Sequence, residues 1–422
     1  MKIIATSDWH LGNMFHGNDR LPEHQHFLSW LLSQIEEQQP DALLIAGDVF
    51  DNGNPSAASQ SAYYGFLADA GERCPTMQIV ITAGNHDSAN RLEAPRALLT
   101  RHRVEVRGVI KREWVQTGEQ GEWLTDYTDL MLPVKNSDGE QVVILTVPYL
   151  RNDVINSGSY SEGVNRFLRS LTSQARSKYP DTPLLMMAHM YAKGAVIASK
   201  DASEKIIVGG AEEVSMDGWT DHPDYLTCGH IHKRQHIWNT QWARYTGSVL
   251  PMSFAEVDYH HGVDLITLQA DRKPHVEFLE YKPQHRLVIL PSGDEELTPA
   301  KLKKLIDTQL DVRTDGKLDD HFAYVMLKVK LEKVSNDDLA ALEEHLATKN
   351  AVLCRVQRII AQLDHSTLSG SEHIQSIDDI LNRNPLDTLK EAFAVKNKAM
   401  SEHQEQMLSQ LLQSITSESD SK

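Results

Sequence analysis

The stretch Met77-Gln-Ile-Val-Ile-Thr-Ala-Gly-Asn-His-Asp87 joins an apolar run to four residues of a different kind. The run has the Val/Ile-rich composition of a buried strand, and an amide, an imidazole and a carboxylate stand side by side where it stops. Taken alone, Gly84 to Asp87 is also a plausible turn, because Gly, Asn and Asp favour turn conformations. The choice depends on whether other strands of the chain end in the same way.

Four other apolar runs also end in residue types that bind metals. Asp8-Trp-His10, Gly47-Asp48-Val-Phe-Asp51, His189 and Gly229-His230-Ile-His232 follow the predicted strands Lys2–Thr6, Ala42–Ala46, Leu184–Ala188 and Tyr225–Cys228. Further strands are predicted at Gln78–Ala83, Val142–Val147 and Val263–Leu268, with helices such as His24–Glu37 and Ala58–Ala70 between strands. These buried strands indicate an α/β layered fold. Because ligands in such folds bind beyond the carboxyl ends of the strands, the five clusters are expected at one edge.

The spacing of the candidate ligands within a cluster predicts which side chains point in the same direction. Residues two apart in extended backbone point to the same side, so Asp8 and His10 aim together, as do His230 and His232. The collected ligands suit Mn, Fe or Zn, because imidazole and carboxylate groups are mixed. They are too many for one tetrahedral ion but fit two ions that share a carboxylate. The set consists of Asp8, His10, Asp48, Asn85, His189, His230 and His232.

Each cluster also has an ordinary explanation. Asp8-x-His10 alone is typical of a polar surface, and a lone His189 on an apolar strand is usually a hydrogen-bonded core histidine. The two histidines of Gly229-His-Ile-His232 repel each other when protonated unless a ligand holds them. Five clusters, each after a strand, favour a metal site over five separate explanations.

The bulk composition restricts the class of protein. The chain has 422 residues, 41% of them hydrophobic and 24% charged, which fits a globular protein of two or more domains. No apolar stretch approaches the roughly 20 residues that cross a bilayer, and no signal sequence precedes the first strand, so a cytoplasmic location is expected. Three scattered cysteines exclude a disulfide framework. The net charge of −17 disfavours a uniformly basic DNA-binding surface, but not a local groove.

The pattern of elements predicts three parts. Residues 1–283 alternate strands and helices and carry all five clusters. Residues 284–363 form a smaller α/β unit, with helices that begin after the cap residues Thr298 and Ser335. Residues 364–422 comprise a linker and helices whose apolar stripes have little of their own to pack on, which favours a role in partner binding.

The five motifs resemble those of the calcineurin-like metallophosphoesterases: Asp-x-His, Gly-Asp-x-x-Asp, Gly-Asn-His-Asp/Glu, His and Gly-His-x-His. The flanking residues Thr6-Ser-Asp-Trp-His-Leu-Gly12 and Tyr245-Thr-Gly-Ser-Val-Leu-Pro-Met-Ser-Phe254 are similar to those of the SbcD family, the nuclease subunits that work with SbcC ATPases. One departure is Ala188, where the family commonly has Gly before the histidine. The resemblance implies a layered metallophosphoesterase sandwich of two central sheets flanked by helices, a small α/β capping domain and C-terminal helices that bind the ATPase.

The resemblance also implies residue roles. Two Mn²⁺ ions would share one carboxylate, with Asp8, His10, Asp48 and His232 holding metal one, and Asp48, Asn85, His189 and His230 holding metal two. His86 would protonate the departing sugar oxygen and Asp87 would orient its imidazole. Asp51 would not bind a metal ion itself but would hold a ligand in place by a hydrogen bond.

The implied function is a two-metal DNA nuclease in DNA repair and recombination. It would act as a double-strand exonuclease and as a single-strand or hairpin endonuclease, as a homodimer within a heterotetramer with an SbcC-like coiled-coil ATPase. One alternative is a metallophosphoesterase for small-molecule phosphodiesters or phosphoproteins, which has no need of the parts after residue 283. The other is a non-catalytic scaffold for the ATPase, which the intact ligand set with His86 and Asp87 disfavours.

Several basic residues are candidates for contact with DNA phosphates, although a solvated surface explains them equally well. They are Arg20, Arg101, Arg103 and Arg107. The helices Ala58–Ala70 and Leu92–Leu99 resemble those through which the family dimerises, but core packing accounts for the same apolar residues. The stretch 104–141 diverges from the family, so the resemblance does not define the DNA-contacting surface there.

Overall fold

A computed structural model describes residues 1–359, apart from residues 118–119, 153, 156–158, 198–212, 216–218, 239, 270, 294, 296 and 331–332. Within these ranges, no helix is both long enough and apolar enough to span a bilayer. The linker and C-terminal helices that the sequence predicts after residue 363 lie outside the described residues.

Strands and helices alternate along the described chain. In chain order the strands are β1 (Lys2–Thr6), β2 (Met14–Phe15), β3 (Asn18–Asp19), β4 (Ala42–Ala46), β5 (Gln78–Thr82), β6 (Val104–Arg107), β7 (Arg112–Thr117), β8 (Gln120–Thr125), β9 (Met131–Lys135), β10 (Gln141–Val147), β11 (Leu184–His189), β12 (Tyr225–Gly229), β13 (Gln235–His236), β14 (Ala243–Tyr245), β15 (His261–Thr267), β16 (His275–Tyr281), β17 (Leu287–Leu290), β18 (Ala323–Lys330) and β19 (Ala351–Ile359). The α-helices are α1 (Leu21–Gln38), α2 (Ala57–Arg73), α3 (Ala89–Glu93), α4 (Arg96–Leu99), α5 (Tyr160–Lys178), α6 (Pro299–Gln309) and α7 (Asn336–Leu346).

Two six-stranded sheets form the larger part of the fold. The first has the strand order β16-β15-β1-β4-β5-β6, and the second has the order β13-β14-β12-β11-β10-β9. Strands β1, β4, β5 and β6 run parallel in the first sheet, as do β10, β11, β12 and β14 in the second. Parallel neighbours bring their carboxyl ends to the same edge of a sheet. The fold therefore provides one such edge in each sheet.

Side chains alternate between two cores along the central strands. In β4, Leu43 packs in the core that contains residues of α1 and α2, whereas Leu44 packs with Leu185 and other residues of the second sheet. Helix α5 contributes Leu168 and Leu171 to a third core on the second sheet. Because both faces of the central strands are buried, their sequences are almost continuously apolar.

The predicted α/β sandwich of two sheets flanked by helices is confirmed. Every strand predicted from an apolar run is a strand of the structure, with bounds that differ by no more than two residues. The helices predicted at His24–Glu37 and Ala58–Ala70 are α1 and α2, which are longer at both ends. The apolar pattern does not reveal the edge strands β6, β9 and β16, because charged or proline residues interrupt their short sequences.

A third sheet follows the two large ones. Its three strands run parallel in the order β17-β18-β19, and α6 and α7 share a core with them that includes Val325. Ser335 and Asp338 form a capping box at the start of α7, as the cap residue predicts. Pro299 begins α6, whereas the side chain of Thr298 makes no capping hydrogen bond.

Candidate metal centre

The five predicted clusters meet at one edge of the two large sheets. Asp8, Asp48 and Asn85 follow β1, β4 and β5 of the first sheet, whereas His189 ends β11 and His230 follows β12 of the second. Each of these strands presents its carboxyl end there. Asp8, Asp48 and His189 are buried, and Asn85 and His230 are half-buried. The topology therefore gathers side chains that are far apart in sequence.

Asp48 lies at the centre of this edge. Its Oδ2 atom lies 3.3 Å from Nε2 of His189 and 3.7 Å from Nε2 of His10. Its Oδ1 atom accepts a hydrogen bond of 2.9 Å from the backbone N–H of His86. Around it are three groups whose donor atoms lie within 4.8 Å of one another: Asp8, His10 and His232; His10, Asp48 and His86; and Asp48, His189 and His230. The carboxylate thus stands between two sets of imidazoles, as a bridging ligand requires.

Asn85 belongs to the second-sheet side of the site. Its Oδ1 atom lies 3.0 Å from Nε2 of His189 and 2.9 Å from Nδ1 of His230. The Nδ1 atom of His189 lies 2.9 Å from the carbonyl oxygen of Ala46. This backbone contact takes the Nδ1 proton and leaves Nε2 to face the site.

The backbone adopts a left-handed conformation at four of the candidate ligands. The φ angle is 53° at Asp8, 48° at His10, 49° at Asp48 and 100° at His230. Non-glycine residues rarely have positive φ, and such strain persists where the surrounding contacts hold it, as at binding sites. At Gly84 a β-carbon would overlap the carboxylate of Asp48. Only glycine permits this close approach of two chain segments.

Electrostatic interactions favour a cation beside Asp48. Burial acts to lower the pKa of His189, but the charge of Asp48 and its hydrogen bond outweigh burial and raise that pKa to about 9. The pKa of His230 is lowered to about 3, first by burial and then by repulsion from His189. Burial acts to raise the pKa of Asp48, yet attraction to His189 and His10 keeps it below its usual range. The site therefore holds a carboxylate that attracts one positive charge.

The donor set fits divalent metal ions. The Nε2 atom of His10 is buried and has no hydrogen-bond partner among the described residues. An unsatisfied buried polar atom costs roughly 1–3 kcal/mol, which coordination to a metal ion would offset. The site offers imidazole nitrogens, carboxylate oxygens and the amide oxygen of Asn85, a mixture that suits Mn, Fe or Zn better than Ca.

Glu256 is a residue of the site that the sequence motifs do not indicate. Its fully buried side chain places Oε1 3.1 Å from Nδ1 of His232 and accepts a hydrogen bond of 2.8 Å from the backbone N–H of Met252. Burial acts to raise the pKa of Glu256, but the interaction with His232 prevails and lowers it. The charged carboxylate holds Nδ1 and leaves Nε2 of His232 for a metal ion.

His86 lies in the site, but its imidazole is not held in the predicted way. Its Nδ1 atom lies 2.9 Å from the carbonyl oxygen of Asp51, so Nδ1 donates its proton to the backbone. The buried carboxylate of Asp87 instead accepts hydrogen bonds from three backbone N–H groups at 2.9–3.2 Å. The prediction that Asp87 orients the imidazole is therefore wrong, because Asp87 ties together the loops that follow β4 and β5. The carboxylate of Asp51 lies 3.5 Å from Nδ1 of His10.

Two of the four arginines predicted to contact DNA are buried. Arg20 is fully buried, and its Nε and Nη2 atoms donate to both carboxylate oxygens of Glu23 at 2.9 Å. Tyr324 of the third sheet donates its hydroxyl to the same carboxylate at 3.1 Å. Arg107 is also buried and donates to Glu105 at 2.7 Å. The predicted phosphate contacts of Arg20 and Arg107 are wrong, because these guanidinium groups are satisfied inside the fold.

Arg101 and Arg103 are exposed, but they lie at the other end of the first sheet. They precede β6, which pairs in parallel with β5, so that Val104 lies opposite Ile79. The candidate ligand Asn85 follows the carboxyl end of β5 instead. A strand of this length separates the two ends by about 13 Å. The structure does not bring these arginines to the edge that holds the candidate ligands.

The fold and the site define a phosphoesterase of the calcineurin-like class. The family model described as calcineurin-like phosphoesterase matches residues 1–234, which include every candidate ligand from Asp8 to His232. This class implies divalent metal ions, in agreement with the His and Asp groups of the site.

Curated relatives narrow the class further. The chain is similar to the SbcD component of the SbcCD nuclease of Rhodobacter capsulatus, with 33% identity over 68% of this chain and 71% of the relative. The SbcD protein of Escherichia coli strain K12 is 28% identical over 91% of this chain and 92% of its own. The SbcD protein of Bacillus subtilis is 30% identical over 65% and 67%, respectively. The chain therefore belongs to the SbcD family of nuclease components, within the calcineurin-like phosphoesterases.

Proposed function

We propose that the chain is a two-metal DNA nuclease that cleaves phosphodiester bonds in DNA repair and recombination. It acts as a double-strand exonuclease and as a single-strand or hairpin endonuclease, together with an SbcC-like coiled-coil ATPase. The observation that carries this proposal is the position of Asp48 between His10 and His189, where one carboxylate would be able to hold two ions. The relatives named as components of a nuclease favour it over an enzyme for small-molecule phosphodiesters or phosphoproteins.

The proposed ligands fall on the two sides of Asp48. Metal one is assigned to Asp8, His10, Asp48 and His232, and metal two to Asp48, Asn85, His189 and His230. When bound, the two ions polarise a phosphoryl oxygen and supply hydroxide for in-line attack. The mixed imidazole and carboxylate ligands suit Mn, Fe or Zn, and the resemblance to the SbcD family leads us to assign Mn²⁺ among them. Asp51 and Glu256 orient His10 and His232 through their Nδ1 atoms.

His86 is the proposed proton donor to the departing sugar oxygen. Because the carbonyl group of Asp51 holds its Nδ1 proton, Nε2 is the nitrogen that releases and regains a proton. The same hydrogen bond keeps the ring in one orientation throughout. Asp87 acts indirectly, since its backbone contacts fix the loops that carry His86 and Asp48.

Cleavage assays with the purified full chain test the proposal. A DNA hairpin and a double-stranded end are incubated with Mn²⁺, and bis-p-nitrophenyl phosphate is the small ester for comparison. Asp48→Asn is the matched control, because it keeps the size of the side chain and removes the bridging charge. We expect DNA cleavage by the wild-type chain and almost none by the variant. Turnover of the small ester alone would make the small-molecule phosphodiesterase the better assignment.

The proposal includes a division into three parts. Residues 1–283 form the nuclease domain, and residues 284–363 form a capping domain, which the separate core of the third sheet supports. Residues 364–422, outside the described residues, supply the linker and the helices that bind the ATPase. A chain truncated after residue 363 should lose copurification with the ATPase and keep Mn²⁺-dependent cleavage. Retained copurification would place the ATPase contact elsewhere.

A homodimer within a cytoplasmic heterotetramer completes the proposal. Helix α2 packs Tyr63 and Phe66 into the core, and Tyr64 is partly exposed beside them. The helix predicted at Leu92–Leu99 consists of the two short helices α3 and α4, and Leu98 of α4 is 62% exposed. These exposed side chains are available for a contact between two copies. Tyr64→Glu with Leu98→Glu should convert the dimer to a monomer in light-scattering measurements.

A further inference from the structure

A two-stranded ribbon stands apart from the three larger sheets. Strands β7 and β8 pair with each other in an antiparallel sheet of their own, with Trp114 directly opposite Trp123. The two tryptophans are 54% and 49% exposed. Adjacent exposed aromatic side chains of this size usually mark a binding surface. The ribbon belongs to the stretch that diverges from the family, so the resemblance does not explain it.

One face of the ribbon is aromatic and cationic. Opposed and alternate residues share a face, which places Arg112, Trp114 and Trp123 together. The indole rings meet edge to face with centroids 5.4 Å apart, and the guanidinium of Arg112 lies 5.5 Å from the ring centroid of Trp123. Gly121 leaves room for Trp114, since a β-carbon there would lie 2.5 Å from the indole. We call this surface the aromatic face; it comprises positions 112, 114, 116, 121, 123 and 125, none of which is Asp or Glu.

The start of the ribbon is attached to the edge of the fold that carries the candidate ligands. Strand β6 ends at Arg107, opposite Thr82, and Asn85 follows that same end of β5. Glu93 then accepts hydrogen bonds of 2.9 and 2.8 Å from two successive backbone N–H groups between β6 and the ribbon. Glu93 belongs to α3, the short helix that begins two residues after Asp87.

Asp129, which follows β8 in the chain, fixes the same end of the ribbon. Its carboxylate accepts hydrogen bonds from Arg96 at 2.7 Å and from Lys111 at 2.9 Å. Burial acts to raise the pKa of Asp129, but the hydrogen bonds from Arg96 and Lys111 prevail and lower it to about 2. The attachment therefore stays charged at neutral pH, and it holds the base of the ribbon near the end of β6, at the edge of the first sheet that carries the candidate ligands.

We propose that the aromatic face binds unpaired bases of the DNA substrate next to the metal site. Trp rings stack on bases of any sequence, and Arg112 supplies a positive charge for the adjoining phosphate. Hairpin loops and frayed ends present such bases, whereas bases inside a duplex are stacked on one another. The inference rests on the proposed nuclease function and adds a means by which the chain selects unpaired DNA.

The local charge of the aromatic face favours DNA as the occupant, because this face carries Arg112 and no Asp or Glu. The net charge of −17 opposes general attraction to phosphates, so contacts to bases by stacking would have to supply much of the affinity. None of the four predicted arginines provides an exposed charge at this edge. The opposite face of the ribbon carries Glu113 with the exposed Val115 and Leu124, and it lacks the aromatic pair. A comparison of oligonucleotide affinity between variants of the two faces is therefore a direct test.

Fluorescence anisotropy with a labelled single-stranded oligonucleotide measures the contact, using the full chain in EDTA to prevent cleavage. Each stacked base contributes about fivefold to 150-fold in affinity, so Trp114→Ala with Trp123→Ala should bind at least tenfold more weakly. Trp114→Phe with Trp123→Phe should restore most of the affinity, which separates stacking from misfolding. Val115→Ser with Leu124→Ser, on the opposite face, is the matched control and should bind normally.

A parallel Mn²⁺ assay on a DNA hairpin distinguishes the possible failures. If the wild-type chain cleaves the hairpin and the alanine variant binds the oligonucleotide as tightly as wild type, the inference is overturned and the nuclease function stands. If DNA binding is unchanged and ATPase copurification is lost, the aromatic face binds protein instead. If the wild-type chain neither binds nor cleaves DNA, both the inference and the proposed function fail.

Discussion

The Oε1 atom of Glu256 lies 3.1 Å from the Nδ1 atom of His232, and both side chains are buried. A carboxylate that accepts the Nδ1 proton fixes the tautomer and strengthens Nε2 as a metal ligand. The backbone N–H of Met252 donates to the other oxygen of Glu256 at 2.8 Å, so the carboxylate is itself held in place. The pair therefore extends the metal site to the short 3-10 helix Phe254–Glu256, which carries no candidate ligand of its own.

Replacing Glu256 should lower the affinity of the chain for one of the two metal ions more than for the other. Glu256→Gln removes the charge that supports His232, and loss of such a supporting group typically costs about 10- to 100-fold in metal affinity. Titration calorimetry of Mn²⁺ into the metal-free chain should show this loss for one ion and a smaller change for the other. Glu280→Gln is the control, because Glu280 contacts the exposed His260 at 2.8 Å, on β16. Equal effects of the two substitutions would contradict the assigned role.

His86→Ala should separate proton donation from metal binding. Loss of a general acid typically lowers the rate by about 10²- to 10⁴-fold, and we expect that loss in DNA cleavage. Mn²⁺ binding, measured by calorimetry, should persist because other residues supply the proposed ligands. If the variant loses a metal ion instead, His86 is a ligand, which its place near His10 and Asp48 also permits. Undiminished cleavage would remove His86 from the mechanism.

The position of the site could be predicted from local patterns and the order of the strands. Runs such as Gln78–Ala83 identify buried strands by composition alone, and parallel strands bring the residues that follow them to one edge. Asp8 and His10 do lie in one group of candidate ligands, as predicted, but the predicted reason was wrong: both residues have a left-handed backbone, so the alternation of extended backbone does not account for their pairing. These inferences need only the chain's own sequence, because each concerns a strand and the residues next to it.

The supporting residues could not be predicted, because their partners are remote in sequence. Glu256 lies two residues after the family-like stretch that ends at Phe254, but that stretch assigns it no role, and its role appears only when the fold places it against His232, 24 positions earlier. Arg20 follows a ligand motif, but sequence does not reveal that Tyr324 and Glu23 enclose it. The predicted contact between Asp87 and the imidazole of His86 is absent for a related reason. The carboxylate of Asp87 accepts hydrogen bonds from backbone N–H groups that would otherwise be buried and unpaired in the loops.

Buried neutral histidines predict how the stability of the metal-free chain depends on pH. Burial, followed by repulsion from Arg20, lowers the pKa of His24 from 6.5 to about 3, and His24 lies 2.9 Å from the carbonyl oxygen of Trp9. Below pH 6.5 the unfolded chain binds a proton at His24 that the folded chain does not bind. The contribution of neutral His24 to the free energy of unfolding is therefore lost as pH falls. This contribution should decrease by about 2 kcal/mol between pH 6.5 and pH 5.

Urea unfolding of the metal-free chain at several pH values measures this dependence. His24→Gln should lower the free energy of unfolding at pH 7 and flatten its fall below pH 6.5, because glutamine does not titrate. Other titrating groups are common to both proteins and cancel in the difference. If the two proteins lose stability in parallel between pH 6.5 and pH 5, His24 is not the neutral buried group that its environment indicates.

Arg20 provides a test of whether a guanidinium near the site serves the fold or the DNA. Arg20→Met leaves the buried carboxylate of Glu23 without its partner, and breaking a buried pair in this way costs roughly 3–5 kcal/mol in the free energy of unfolding. Arg73→Met is the matched control, since Arg73 donates to Glu36 at 3.0 Å on the surface, where such pairs contribute about 0–1 kcal/mol. Urea unfolding compares the two variants.

The double variant Arg20→Met with Glu23→Gln should recover part of the lost stability, because the uncompensated charge is then removed. Oligonucleotide binding by each folded variant, measured without urea and well below its unfolding temperature, should match wild type, since Arg20 has no exposed surface. A different result, in which Arg20→Met is as stable as Arg73→Met and binds DNA more weakly, would return Arg20 to the DNA-contacting surface. It would also require the contact between Glu23 and Tyr324 to be absent in solution, because that contact encloses the arginine.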